Sequence, residues 1–426
     1  MNVFEKSIKF SLMENTSEYI YRLQCIAFDF FRKKGFPTTR EEDWKYTDLK
    51  NILSKEYGFF LTDKQEDRSE DIKKNLFKNF DSYRIIFVNG VFHSSLSKIM
   101  DKNVFRLNDA FSRNQSIIEK FYAKIAPKQE SLVALNTSFA KDGVYVYLPK
   151  KTLVKKPIEI LYFFTSKKNK INFPRNLIVL EEGSFVQIIE RHQCLNKKNE
   201  ALNNSVLNNS VTEIYASPNS KIKYLKIQDC HLKSSLMDNT FIVQKKNSSF
   251  SIHTFSFQGS LIRNNLHLSQ KDEGVNSQLK GLSISLKEGI IDHHTLVDHR
   301  YPTCNSYELY KSIFDGKAKG VFHGKIVVRK KAKKINAFQK SSNILLSKES
   351  CINAKPQLEI FANDVKCSHG CTVGQLSESA LFYLRSRGIP EKKAKYLMLL
   401  SFIKEILDDD MEFISKMVSK NLNILE

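Results

Sequence analysis

The chain has 426 residues, 41% hydrophobic and 27% charged, with a formal net charge of +21 at pH 7. This length allows one large core with flanking modules, or two to three domains, and the balance is that of a soluble globular protein. No run approaches the about 20 apolar residues of a membrane span, and Met1-Asn-Val-Phe-Glu-Lys6 lacks a basic stretch followed by an apolar one, so neither a membrane partner nor a secretory leader is expected.

Residues 1–138 are expected to form a mainly helical N-terminal module. Asn15-Thr-Ser-Glu18 supplies N-cap chemistry, and Ile20, Leu23, Ala27, Phe30 and Phe31 recur near helical spacing. Gly35 then provides a stop. Thr39 and Glu42 predict a second start through a capping box, in which hydroxyl and carboxylate satisfy each other's backbone donors, with the single tryptophan, Trp44, just beyond. Arg84-Ile-Ile-Phe-Val88 followed by Asn89-Gly90 predicts a strand and a tight turn.

Residues 139–366 change character. Short apolar or alternating runs recur: Val144–Leu148, Ile158–Phe164, Leu177–Leu180, Phe185–Ile189, Ile222–Ile227, Phe241–Val243 and Ile326–Val328. Gly, Asn, Ser and Asp separate them, and no long helical pattern interrupts. Sandwich, barrel and β-helix all fit. Dense polar turns between many short strands favour the β-helix, although no strict residue period is visible. Residues 367–426 return to helix. Ser377 caps a run through Leu384, Gly388 ends it, and Pro390 is placed at the first position of the next helix. Tyr396, Leu399, Leu400, Ile403, Ile406 and Leu407 make one apolar face. Asp409 and Glu412 suggest the start of a third helix.

The seven cysteines are scattered and odd in number. In so long a chain they read as free thiols in a reducing, cytoplasmic setting, not as a disulfide framework. No Cys-x-x-Cys pair points to a closed zinc or iron–sulfur site within the chain. Residues 311–355 hold twelve Lys/Arg against Asp315 and Glu349. No stacking aromatics accompany them, so an acidic protein partner or a solvated face is favoured over nucleic acid. The run Arg329–Lys334 reads as a strand edge guarded by lysines.

The densest chemistry lies in Cys367-Ser-His369-Gly-Cys371. Thiolate and imidazole both suit iron and zinc, and on an extended chain the three side chains share one face. A structural turn with buried thiols is the plain alternative. In Asp292-His-His-Thr-Leu-Val-Asp298-His299, alternation sets His293 and His299 on one face and His294 with Asp292 and Asp298 on the other, which argues against a single metal site and for His–Asp hydrogen bonds. No GxxxxGK[ST] loop is present, so no P-loop ATP site is expected.

Lys355–Leu376 with Ala380-Leu-Phe-Tyr-Leu-Arg-Ser-Arg387 closely resembles the C-terminal part of the SufD branch of the SufB/SufD family. His294–Val297, Gly320–Val328, Phe338–Leu346 and Pro37–Thr47 fit the same family in order and spacing. The resemblance implies a mainly β fold: a right-handed parallel β-helix between helical modules. It also implies a non-enzymatic scaffold subunit of the SUF iron–sulfur cluster assembly system. Such a subunit pairs with a SufB paralogue through the β-helices and holds the SufC ATPase through its C-terminal helical region, where Phe382, Tyr383, Arg385 and Arg387 are the candidates. His369, with Cys367, would contribute to a transient iron–sulfur cluster or iron at the SufB interface, with nothing held stably by the chain alone. Gly370 after the histidine, and no cysteine between 25 and 194, are similar to SufD, not SufB. A SufB-like paralogue and a metal-dependent β-helix enzyme are the alternatives. The chain departs from the family pattern at Asn363 and at Cys371, whose place in the ligand set stays open.

Overall fold

The computed structural model describes residues 17–59, 68–78, 80–99, 102–165, 169–195, 205–230, 232–407 and 412–422. Strands wind alternately into two facing sheets. One runs from Cys351–Ile360 back through Lys319–Val328, Ile290–His299 and Leu261–Gln270 towards Val144–Leu148. The other runs from Val365–Gly374 through Ile335–Leu345, Asn305–Phe314 and Asn276–Ser285 towards Tyr83–Val88. Neighbours within each solenoid sheet are parallel and in register. This is the expected β-helix.

The coils are uneven, which hid the repeat. Ser235 faces Leu261, Leu261 faces Ile290, Ile290 faces Lys319 and Lys319 faces Cys351, steps of 26, 29, 29 and 32 residues. The polar turns keep the stack aligned. Asn219, Asn247, Gly274, Thr303 and Lys334 occupy one corner of successive coils with φ of 57°, 54°, 70°, 58° and 55°. Asparagine tolerates that left-handed conformation better than most residues. Beside this corner Asn336 donates to Asn305 at 2.9 Å and Asn305 to Asn276 at 2.8 Å, a ladder one rung per coil.

Inward side chains such as Ile188, Tyr224, Ile252, Leu279, Val297, Tyr310 and Phe322 build one core along the axis. The outer faces are covered by helices. Helix Glu18–Lys34 starts at Ser17, whose hydroxyl accepts from Ile20 N, and ends at Gly35 as expected. With helix Ser131–Phe139 it packs Phe31, Trp44, Leu135 and Phe139 on Leu207, Met237 and Leu261 of the first sheet. A buried ion pair locks this module down. Arg175 Nη2 donates to Glu213 Oε2 at 2.5 Å, and Glu213 also accepts from the backbone N–H of Ala123, Ile125 and Ala126. On the second sheet Leu399, Ile403 and Ile406 cover Leu225, Ile227, Phe255 and Leu309. Burial of each such aliphatic side chain stabilises by about 1.5–3 kcal/mol.

Local expectations needed three adjustments. The box around Thr39 sits one residue earlier, with Thr38 N donating to Glu41 Oε1 at 3.0 Å, and only a single tight turn, Glu42–Trp44, follows. Pro390 is the N-cap, and the helix is Glu391–Ile403. The run Arg329–Lys334 is a solenoid corner, not a strand edge, because Ala332 is buried and Lys334 turns the chain towards the strand Ile335–Leu345. Asn15 and Asp409 lie outside the described residues, while the third helix is present as Glu412–Leu422. Among the described residues no helix is long and apolar enough to cross a membrane.

Candidate functional site

The two ends of the solenoid differ. At the N-terminal end Val91–Phe92 and Val104–Arg106 pair antiparallel and close the sheets off from further parallel pairing. At the other end, among the described residues, Cys351–Ile360 pairs only with Lys319–Val328, and Val365–Gly374 only with Ile335–Leu345. Both last strands therefore present a free backbone edge, a template for another chain. Pro356, which cannot complete a ladder, is tolerated at such an edge. Ile360, Phe361 and Val373 are exposed there.

Cys367, His369 and Cys371 lie on the strand Val365–Gly374, opposite Ala337, Gln339 and Ser341. Those three partners are buried, so the Cys–His–Cys face is the inward one, laid open because no further coil among the described residues covers it. Cys367 is half-buried and packs with Ile326, Ile335 and Ala337, while His369 and Cys371 are exposed. Asn343 Nδ2 approaches Cys371 Sγ at 4.0 Å. Burial pushes both thiols above the ordinary cysteine value, so they stay protonated at neutral pH.

The shared face is as expected, yet the three do not converge. Alternate residues on a strand stand about 7 Å apart, and among the described residues their ligand atoms form no group within 4.8 Å. They make an open row of two thiols and an imidazole along one strand.

Sequence spacing did not point to what lies beneath His369. Gln339 is its register partner, and Glu308 is the partner of Gln339 one coil deeper. Gln339 Nε2 donates to Glu308 Oε2 at 2.8 Å, and Thr295 Oγ1 donates to the same oxygen at 3.0 Å. Burial lifts the Glu308 carboxyl to about 7. Only knowledge of the uneven coil length would have aligned residues 308, 339 and 369.

The second histidine cluster is divided as alternation predicted. His293 and His299 point inward, and each meets one hydroxyl, Ser283 and Ser306, at 2.9 Å. Of the expected His–Asp contacts, His294 to Asp292 exists at 3.0 Å. Asp298 instead pairs with Arg300 and Arg329, because it faces out and His299 faces in.

Comparison with known proteins decides the family. The SufBD core domain of the SUF system for FeS cluster assembly matches residues 163–402, and the SufBD N-terminal region matches residues 1–160. The chain belongs to the SufBD family. An iron–sulfur cluster assembly SufBD family protein of Synechocystis is 29% identical over 389 residues, 90% of this chain and 85% of the relative. The iron–sulfur cluster assembly protein SufD of Escherichia coli is 26% identical over 381 residues, 88% and 86% respectively. The chloroplastic protein ABCI7 of Arabidopsis thaliana is 27% identical over 419 residues, 93% and 84%.

In this SufBD protein the helix Glu378–Ser386, capped by Ser377, buries none of its residues. Phe382 is 73% and Tyr383 58% exposed, with Arg387 over the Tyr383 ring and Arg385 paired to Glu391 at 3.4 Å. An exposed aromatic face on a capped helix is a surface available for docking. Four of the twelve bases in the stretch 311–355 are paired with acids outside it: Lys311 with Glu405, Lys325 with Glu359, Arg329 with Asp298 and Lys355 with Glu42.

Proposed function

We propose that this SufBD protein is the SufD-type scaffold subunit of a SUF assembly complex. It pairs at the open end of its solenoid with a SufB paralogue and carries SufC on the helix Glu378–Ser386. It holds iron or a nascent iron–sulfur cluster only at the shared interface, where the cluster is cargo. The observation that carries this reading is the open coil bearing Cys367 and His369 beside two unpaired strand edges.

The chemistry follows from the geometry. A second β-helix that continues the sheets satisfies the free backbone groups and buries Ile360, Phe361 and Val373. It also brings donors to face Cys367 and His369, completing a set that one strand cannot supply. Enclosure strengthens metal–thiolate bonding by excluding water, and separating the two chains would reopen the site and release the cargo. Work from ATP falls to the SufC partner, and this chain acts by binding and positioning.

Co-expression with SufB and SufC is expected to yield a complex that stays together through size exclusion, and a chain that elutes alone would overturn the proposal. In that complex His369→Ala is expected to leave assembly intact and to lower reconstituted cluster yield roughly tenfold or more. Undiminished yield would remove His369 from the site.

A further inference from the structure

A cleft of about 540 Å³ lies between the turn Glu42–Trp44 and the outer face of the first sheet, away from the row Cys367–Cys371. Three side chains from distant parts of the chain meet in it. Asp43 comes from the turn, His294 from the strand Ile290–His299 and His323 from the strand Lys319–Val328, and a ligand atom of each lies within 4.8 Å of the others. The two histidines are register partners on adjacent strands, with ring centroids 5.0 Å apart. His323 Nδ1 stands 3.5 Å from Asp43 Oδ1.

The surroundings are those of a supported ligand set. Asp292 Oδ1 stands 3.0 Å from His294 Nε2. A carboxylate behind one imidazole nitrogen orients the ring and makes the other nitrogen a better donor to metal. Asp292 is in turn held by Arg263 Nη1 and Thr47 Oγ1, each at 2.6 Å. The Arg263 guanidinium lies 3.7 Å from the ring centre of Trp44, the neighbour of Asp43. The contacts that fix Asp292 therefore also fix the turn that carries Asp43. On the far side of the ring, His323 Nε2 meets Gln357 Oε1 at 3.4 Å.

We propose that Asp43, His294 and His323 bind a divalent transition-metal ion of the Fe(II)/Zn(II) class, in a site separate from the open end of the solenoid. Two imidazoles and one carboxylate on one side of a cleft are a donor set for those ions, with the remaining positions left to water. Such an ion draws donor atoms to about 3–3.5 Å from one another. The exposed Asp43 carboxylate and a small rotation of His323 cover the difference. Binding ties the N-terminal turn to the solenoid wall and stabilises the folded chain. The site stands independently of the scaffold role, since it lies within one chain and needs no partner.

The test uses the full chain, stripped with chelator and titrated calorimetrically with Zn(II) and with Co(II). One equivalent is expected to bind and to raise the melting temperature. Asp43→Asn and His323→Gln are expected to weaken binding at least tenfold, whereas Cys367→Ser/His369→Ala leaves it unchanged. Asp43 is exposed, so its variant tests the site without endangering the fold. No metal bound by the natural chain, or binding that survives both site variants, would overturn the proposal. Binding lost only in Cys367→Ser/His369→Ala would overturn it too and assign the metal to the open end.

Discussion

Inside the solenoid, burial governs the ionisable side chains. His293 and His299 are held at about 4 by burial. Between about 4 and 6.5 the unfolded chain binds protons that the folded chain refuses, so these rings cost stability as pH falls through that window. The loss is on the order of 3 kcal/mol for each ring when fully developed. Glu308 acts in the opposite direction. Its carboxyl keeps a proton up to about 7, while an unfolded glutamate gives it up near 4.5, so stability falls as pH rises between those values. Urea midpoints at pH 5 and pH 8 should separate the two. His293→Gln is expected to lose less stability than the natural chain on going to pH 5. Glu308→Gln is expected to gain on the order of 1–3 kcal/mol at pH 8 and little at pH 4. Equal pH profiles for variant and natural chain would contradict the burial argument.

At the scale of elements, two attachments behave differently. The N-terminal helices are bound to the first sheet through Arg175 and Glu213, both with fully buried side chains. Arg175→Leu strands the Glu213 carboxylate and is expected to cost about 3–5 kcal/mol in denaturant unfolding. A cost near zero would mean that the backbone donors at Ala123, Ile125 and Ala126 suffice. The helix Glu378–Ser386 has no buried residue to lose. Phe382→Asp should leave the melting temperature unchanged yet weaken SufC binding at least tenfold, on the order of 2 kcal/mol for an aromatic anchor. Unchanged affinity by calorimetry would move the SufC contact elsewhere.

For the whole molecule, the asymmetry of the two ends sets the direction of growth. Antiparallel strands close the N-terminal end, while the last coil offers free edges, exposed Phe361 and Val373, and the open Cys–His–Cys face. A partner that extends the solenoid removes all three at once. Phe361→Lys with Val373→Lys is expected to abolish co-elution with SufB while leaving SufC binding intact. Retained co-elution would place the pairing surface elsewhere.

Much of this was legible in the residues. Apolar or alternating runs marked part of the strand set, such as Ile158–Phe164 and Phe185–Ile189, whereas polar-rich strands such as Leu261–Gln270 and Asn276–Ser285 carried no run as long. The first helix followed from Ser17 and Gly35, and the density of thiol and imidazole between Cys367 and Cys371 marked that segment before any fold was known. The choice among sandwich, barrel and β-helix was different. It depends on which strand pairs with which across 26 to 32 residues, and unequal coil lengths erase the periodicity that would announce it. Tertiary structure alone decided that the Cys–His–Cys face is the open mouth of a solenoid, that Gln339 and Glu308 stand beneath His369, and that Asp43 joins His294 and His323. Local sequence encodes propensity and alternation over a few residues, whereas each of these sites is made by strands stacked coil upon coil, far apart along the chain.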